Sequence, residues 1–186
     1  MTWVVFVLLL SALVGKLRGG RWKSLSEVST RAWWLLLVGL GLQAAAQFLP
    51  AEQRSLAVGL LLASYLFILA MVWINRREAG MWIAGIGILM NFTVIALNRG
   101  MPVLPASVEI AGGSATPVLG GRHVLLDAST HLPFLGDLIP LPGAVISLGD
   151  VFLAIGLGVF VEEQMRKPPR LFRRGVRGPS GSAAES

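Results

Sequence analysis

The sequence predicts an all-α integral membrane protein. It would have five transmembrane helices, an outward N-terminus, a cytoplasmic C-terminus and one long outward loop before the last helix. Three observations carry this prediction. Of 186 residues, 54% are apolar and only 14% charged, with a mean hydropathy of +0.70. That is too little charge to cover a soluble domain of this length, and too much apolar content for a disordered chain. Five apolar stretches approach the roughly 20 residues that cross a bilayer core of about 30 Å. Basic residues collect in alternate connections between those stretches.

The spans are 2–15, 32–49, 56–74, 81–97 and 144–161, and their only charged residue is Asp150. The first is short, like a signal peptide. Its basic residues (Lys16, Arg18, Arg21, Lys23) follow the apolar stretch, however, which fits a retained, reverse-oriented anchor better than a cleaved leader. The connection 16–31 carries five basic residues, the turn 75–80 carries two, and the tail from Arg166 to Arg177 carries six. With five spans these segments share one side. The opposite side holds only Arg54, Arg99 and Arg122. The positive-inside rule then places the basic side in the cytoplasm. Trp33, Trp34, Trp73 and Trp82 fall at the cytoplasmic ends of spans and Trp3 at an outer end, where indole rings settle at headgroup level or pack between helices. The transmembrane domain would cover 1–165, with the outward loop at 98–143. The tail 166–186 is rich in Pro, Gly, Ser and Arg and reads as a disordered cytoplasmic segment. Its basic residues could rest on anionic lipid headgroups or simply fix topology.

The net charge of +6 lies beside apolar spans, so lipid rather than nucleic acid is the expected partner. The absence of cysteine excludes disulfides, thiolate catalysis and Cys-ligated metals. No cofactor is expected. No internal repeat supports an inverted-repeat transporter.

Polar side chains inside the spans carry the functional reading, because hydrocarbon penalises them unless they are paired. Gln43 and Gln47 share a helix face with Gly39. Asn91 and Asn98 share one with Gly87. Ser147 and Asp150 are three apart. In the five-span topology all six fall in the outer halves of their helices. They could line a pocket open outward and floored by apolar side chains. Alternatively, they hydrogen-bond helix to helix, each contributing about 0.6 kcal/mol. Asp150, roughly 9 Å along its span, leans toward function because insertion of Asp at a helix centre costs about 2.5–3.5 kcal/mol.

The loop 98–143 is too long to be a mere linker. It opens with Asn98-Arg99-Gly100-Met101-Pro102-Val103, is Gly-rich over 111–121, and ends in an apolar, Pro-rich run. It would cap the bundle or dip into the interface. His123, Asp127 and His131 are spaced to share a helix face. Pro133 limits any such helix, so an exposed polar face is expected there rather than a metal site. Asp137 and Asp150 each follow a glycine. They could share a proton as an acid and base pair, or Asp137 could cap a turn.

These residues carry a resemblance. Asn98-x-Gly100-Met101-Pro102-Val103, then Thr130-x-Leu132-x-x-Leu135-Gly136-Asp137-x-Ile139-Pro140, then Ile146-Ser147-Leu148-Gly149-Asp150 resemble a bacterial membrane family designated domain of unknown function 5317. The resemblance covers most of 1–165. It implies a five-span bacterial membrane protein and no reaction. A looser similarity is to lipoprotein signal peptidases, which carry Phe-Asn-x-Ala-Asp entering their last span. Their second catalytic Asp lies in an Asn-x-x-Asp-Arg motif, which this chain lacks. Three readings follow. The preferred one is a non-catalytic membrane protein with an outward pocket for a lipid, small molecule or membrane partner. The pocket would be built from Gln43, Gln47, Asn91, Asn98, Met101, Pro102 and Ser147. The alternatives are an intramembrane aspartyl hydrolase using Asp137 and Asp150, and a small transporter.

Overall fold

The computed structural model describes residues 30–113 and 122–167, together with Leu13, Lys16, Leu17 and Gly19. The expected first span at 2–15, apart from Leu13, and nearly all of the tail 166–186 lie outside the described residues. The described chain is mostly helical: α1 Trp34–Gln47, α2 Arg54–Ile74, α3 Met81–Asn98, a short α4 Pro105–Ile110 and α5 Leu148–Arg166. α2 and α3 are long and apolar enough to cross a membrane; α1 is shorter.

The expected all-α architecture is corrected by a four-stranded sheet. β1 (Met101–Val103), β2 (His123–Leu125), β3 (Asp137–Leu141) and β4 (Ala144–Ser147) lie in the order β2-β1-β3-β4. The described residues of 98–143 are therefore folded structure, and 144–147 is a strand rather than the start of a span. Hydropathy cannot separate a short apolar strand from the start of an apolar helix, because both bury the same side chains. β1 runs parallel to β2 and β3, while β3 and β4 form an antiparallel hairpin. Gly143, at φ +76°, makes the hairpin turn that a residue with a Cβ would strain. Pro102 sits in an interior strand without penalty. Met101 N–H and the Val103 carbonyl bond toward β2, Leu104 N–H donates to the Asp137 carbonyl, and the register with β3 pairs Val103 with Asp137.

α3 and α5 pack closely along their lengths. Glycines explain it. A Cβ at Gly87 would stand 2.7 Å from Leu153 N, and one at Gly149 would stand 2.7 Å from the Gly87 carbonyl. Gly80 and Gly156 make a second close approach about two turns along. Small residues at this spacing let two backbones touch. α1 packs chiefly on α2. Asn75 joins their ends: its side chain donates to the Arg31 and Met71 carbonyls and accepts from Arg31 N–H.

Among the described residues, two apolar clusters join the elements. Leu35, Ile68, Met71, Val72, Met81 and Ile88 join α1, α2 and α3. Val58, Leu61, Val94 and Ile95 meet Met101 and Leu135 from the sheet region, fastening the sheet to the ends of α2 and α3. At the opposite end of the bundle, Gln164 and Lys167 both donate to Glu78 Oε2, at 2.8 and 2.6 Å. Many large apolar side chains face outward, among them Leu37, Leu66, Leu89, Leu97 and Ile155.

Candidate functional site

Polar groups from α3, β3, β4 and α5 converge where the sheet meets the bundle. α5 begins with a capping box: Ser147 Oγ accepts from Asp150 N–H at 3.0 Å, and Asp150 Oδ2 accepts from Ser147 N–H at 3.1 Å. Asn91 closes the network. Its Nδ2 donates to Asp150 Oδ1 at 2.9 Å and its Oδ1 accepts from Ser147 Oγ at 2.9 Å. Asn91 is 3% exposed and Ser147 fully buried, so each bond replaces water the groups cannot reach. Gly149 permits this, since a Cβ there would collide with the Asn91 amide.

Strand pairing brings the second acid in. The register sets Asp137 opposite Ser147, abreast of the start of α5. Asp137 is 8% exposed. Burial, and then the nearby charge of Asp150, push its carboxyl up from 3.8 to about 8, with Arg122 opposing. His123 Nε2 stands 3.8 Å from Asp137 Oδ2. Burial, followed by the Arg122 charge, holds the His123 pKa below its ordinary 6.5. At pH 7, then, Asp137 keeps its proton, His123 is neutral, and the two are not a charge pair. Burial also lowers the Arg122 pKa from 12.5, although a guanidinium remains charged.

Asp137 and His123 face a cleft of about 320 Å³, whose apolar wall includes Val103, Val108, Ala144 and Val145. This is at the small end of the range for ligand sites, which runs from roughly 300 to 1,000 Å³. A protonated carboxyl offers one donor and an acceptor, as does a neutral imidazole. Such a wall could pair with a neutral hydrogen-bonding group but offers an ion no partner of opposite charge.

The expected residues divide. Asn91, Ser147 and Asp150 meet in one network, with Asp137 beside it. Asn98 acts separately: it donates to the Val94 and His131 carbonyls and accepts from His131 N–H, stitching the chain after β2 to the end of α3. Met101 and Pro102 lie in β1, Met101 within the core. Gln43 is half-buried and Gln47 exposed on α1, and neither is hydrogen-bonded to the network. The helical face expected for His123, Asp127 and His131 does not form. His123 is in β2. Asp127 closes a turn by accepting from Ser129 N–H and Oγ, at 2.8 and 2.6 Å; those bonds lower its pKa. His131 lies in a bend. Among the described residues no three potential metal ligands gather.

Sequence reasoning missed Tyr65. It borders both apolar clusters, and its hydroxyl lies beside Asn91 within the fields of Asp150, Asp137 and Arg122. It is the single tyrosine of the chain, and a phenol in the middle of an apolar span needs a partner. That was the available signal. His123 was noticed only for metal spacing, because its approach to Asp137 depends on strand pairing.

No curated protein and no solved structure was found to match the chain. A family described as being of unknown function, DUF5317, matches residues 27–162. That match covers well over half of the sequence, and the chain belongs to the DUF5317 family.

Proposed function

We propose that the protein is a five-span protein of the bacterial inner membrane whose sheet-capped end faces outward and binds a small neutral molecule. The ligand would have an apolar body and an amide, hydroxyl or carbonyl group. The cleft at Asp137 and His123 carries this reading: two uncharged hydrogen-bonding groups set in an apolar wall. The apolar outer faces of α2 and α3 support placement in lipid. Orientation is supported by Arg76, Arg77, Arg166 and Lys167 lying at the end of the bundle away from the sheet.

The test is thermal unfolding of the purified protein with a panel of small neutral amides, alcohols and ketones, alongside Val108→Trp, which fills the cleft. Compounds that raise the Tm of the parent but not of Val108→Trp are expected. A panel with no effect, or with equal effects on both proteins, would overturn the reading. Orientation is tested in this cysteine-free chain by Val145→Cys and Arg77→Cys. A membrane-impermeant maleimide should label only position 145 in intact cells.

The nearness of Asp137 to Asp150 favours a second reading, an aspartyl hydrolase with one protonated and one ionised carboxyl. Against it, both Asp150 oxygens are already engaged by Asn91 and Ser147. Asp137→Asn separates the two readings. A binding site keeps its neutral donor and acceptor and retains its ligands, whereas a hydrolase loses turnover.

A further inference from the structure

A second concave surface lies at the far end of the bundle from the sheet. α2 presents Leu69, Val72, Trp73 and Arg76 along one face; α3 presents Trp82, Gly85, Ile86 and Leu89 along another. Both sets follow the i, i+3, i+4, i+7 spacing of a single helix stripe. The helices run antiparallel, so the stripes form the two walls of a groove of about 200 Å³. Its floor exists because Gly85 has no side chain; a Cβ there would lie 3.1 Å from Val72 Cγ1. The groove runs from Leu69 to Arg76, about 10 Å of helix.

The lining is apolar except at one end. There Trp73 and Trp82, each 58% exposed, meet edge to face with ring centroids 5.8 Å apart. The Arg76 guanidinium lies over the Trp73 ring, 4.6 Å from its centroid, and Nη1 donates to the Trp73 carbonyl at 3.0 Å. Exposed Arg77 follows. Glu78, the nearest acid in sequence, is engaged by Lys167 and Gln164. Among the described residues no carboxylate pairs with Arg76. An apolar trough ending in two interfacial indoles and a fixed cation has the polarity of a phospholipid, with its chain in the trough and its phosphate at the guanidinium.

We propose that this groove is a binding site for one anionic phospholipid of the leaflet that contacts the α2–α3 turn. An acyl chain lies between α2 and α3 over Gly85, and the headgroup phosphate sits on Arg76. The site rests on the bilayer placement proposed above and is independent of the cleft at Asp137.

The experiment uses the full chain carrying Trp3→Phe, Trp22→Phe, Trp33→Phe and Trp34→Phe, so that Trp73 and Trp82 report alone. The protein is reconstituted in bilayers containing brominated phosphatidylglycerol or brominated phosphatidylcholine, and quenching is measured against mole fraction. Phosphatidylglycerol should quench at about fivefold lower mole fraction, the preference expected of one basic residue at the surface. Arg76→Gln should remove that preference, Arg76→Lys should restore part of it, and Gly85→Leu should weaken quenching by both lipids. Equal quenching by the two lipids, or a preference unchanged in Arg76→Gln, would overturn the site. Quenching by neither lipid would instead remove these helices from the bilayer and overturn the membrane placement with it.

Discussion

Replacing Asp137 with Asn should stabilise the protein at neutral pH and flatten its pH dependence. Burial and the Asp150 charge raise the Asp137 carboxyl from 3.8 to about 8. Between those values the folded chain holds a proton that the unfolded chain releases. Stability is therefore full below about pH 4, falls as pH rises, and levels off above about 8. At pH 7 the folded state has lost about 4 kcal/mol relative to acid conditions, roughly three pH units at about 1.4 kcal/mol each. Asn keeps the shape and a donor but cannot ionise. Asp137→Asn should match the parent near pH 4 and exceed it at pH 7 by an amount approaching that figure. His123 works in the opposite direction: its depressed pKa makes folding less favourable as pH falls through 6.5. His123→Gln on the Asp137→Asn background should remove that acid-side loss. The assay is thermal or chemical unfolding in detergent from pH 4 to 9. Parallel pH profiles for parent and Asp137→Asn would refute the reasoning. So would a variant less stable at every pH: the first outcome would mean that folding leaves the Asp137 carboxyl unshifted, the second that the folded state relies on the carboxylate.

Other outcomes follow from the same geometry. Asn91→Ala leaves Asp150 Oδ1 and the Ser147 hydroxyl without their partner and should cost about 1–3 kcal/mol in unfolding. Ser147→Ala removes the α5 cap and the bond to Asn91 and should cost about 1–2 kcal/mol; the Asn91→Ala, Ser147→Ala double variant should fall short of the sum of the two. Gly87→Leu places a side chain against the backbone of α5, where even a Cβ lies 2.7 Å from Leu153 N. It should abolish a monodisperse peak on size-exclusion chromatography, whereas Gly41→Leu, at an open position, should not.

What was legible in the sequence was local. Apolar runs located α2 and α3 to within two residues at each end, because a helix long enough to be read by hydropathy is specified by its own side chains. The spacing of Ser147 and Asp150 was visible, but their pairing as a capping box was not, because the helix was expected to begin at 144 and not after Ser147. The partnership of Asn91 with them needed only two spans side by side, and Gly87 and Gly149 marked where these could touch. The sheet was not legible. Its strands are three to five residues long, and β1 is parallel to both neighbours, so each strand depends on segments far away in the chain. The tertiary structure alone placed Asp137 opposite Ser147, brought His123 to Asp137 and set Tyr65 beside Asn91. These are non-local juxtapositions, and no periodicity encodes them. Their chemistry is equally non-local: a carboxyl holds its proton at neutral pH only once the fold has removed water from around it and set another acid nearby.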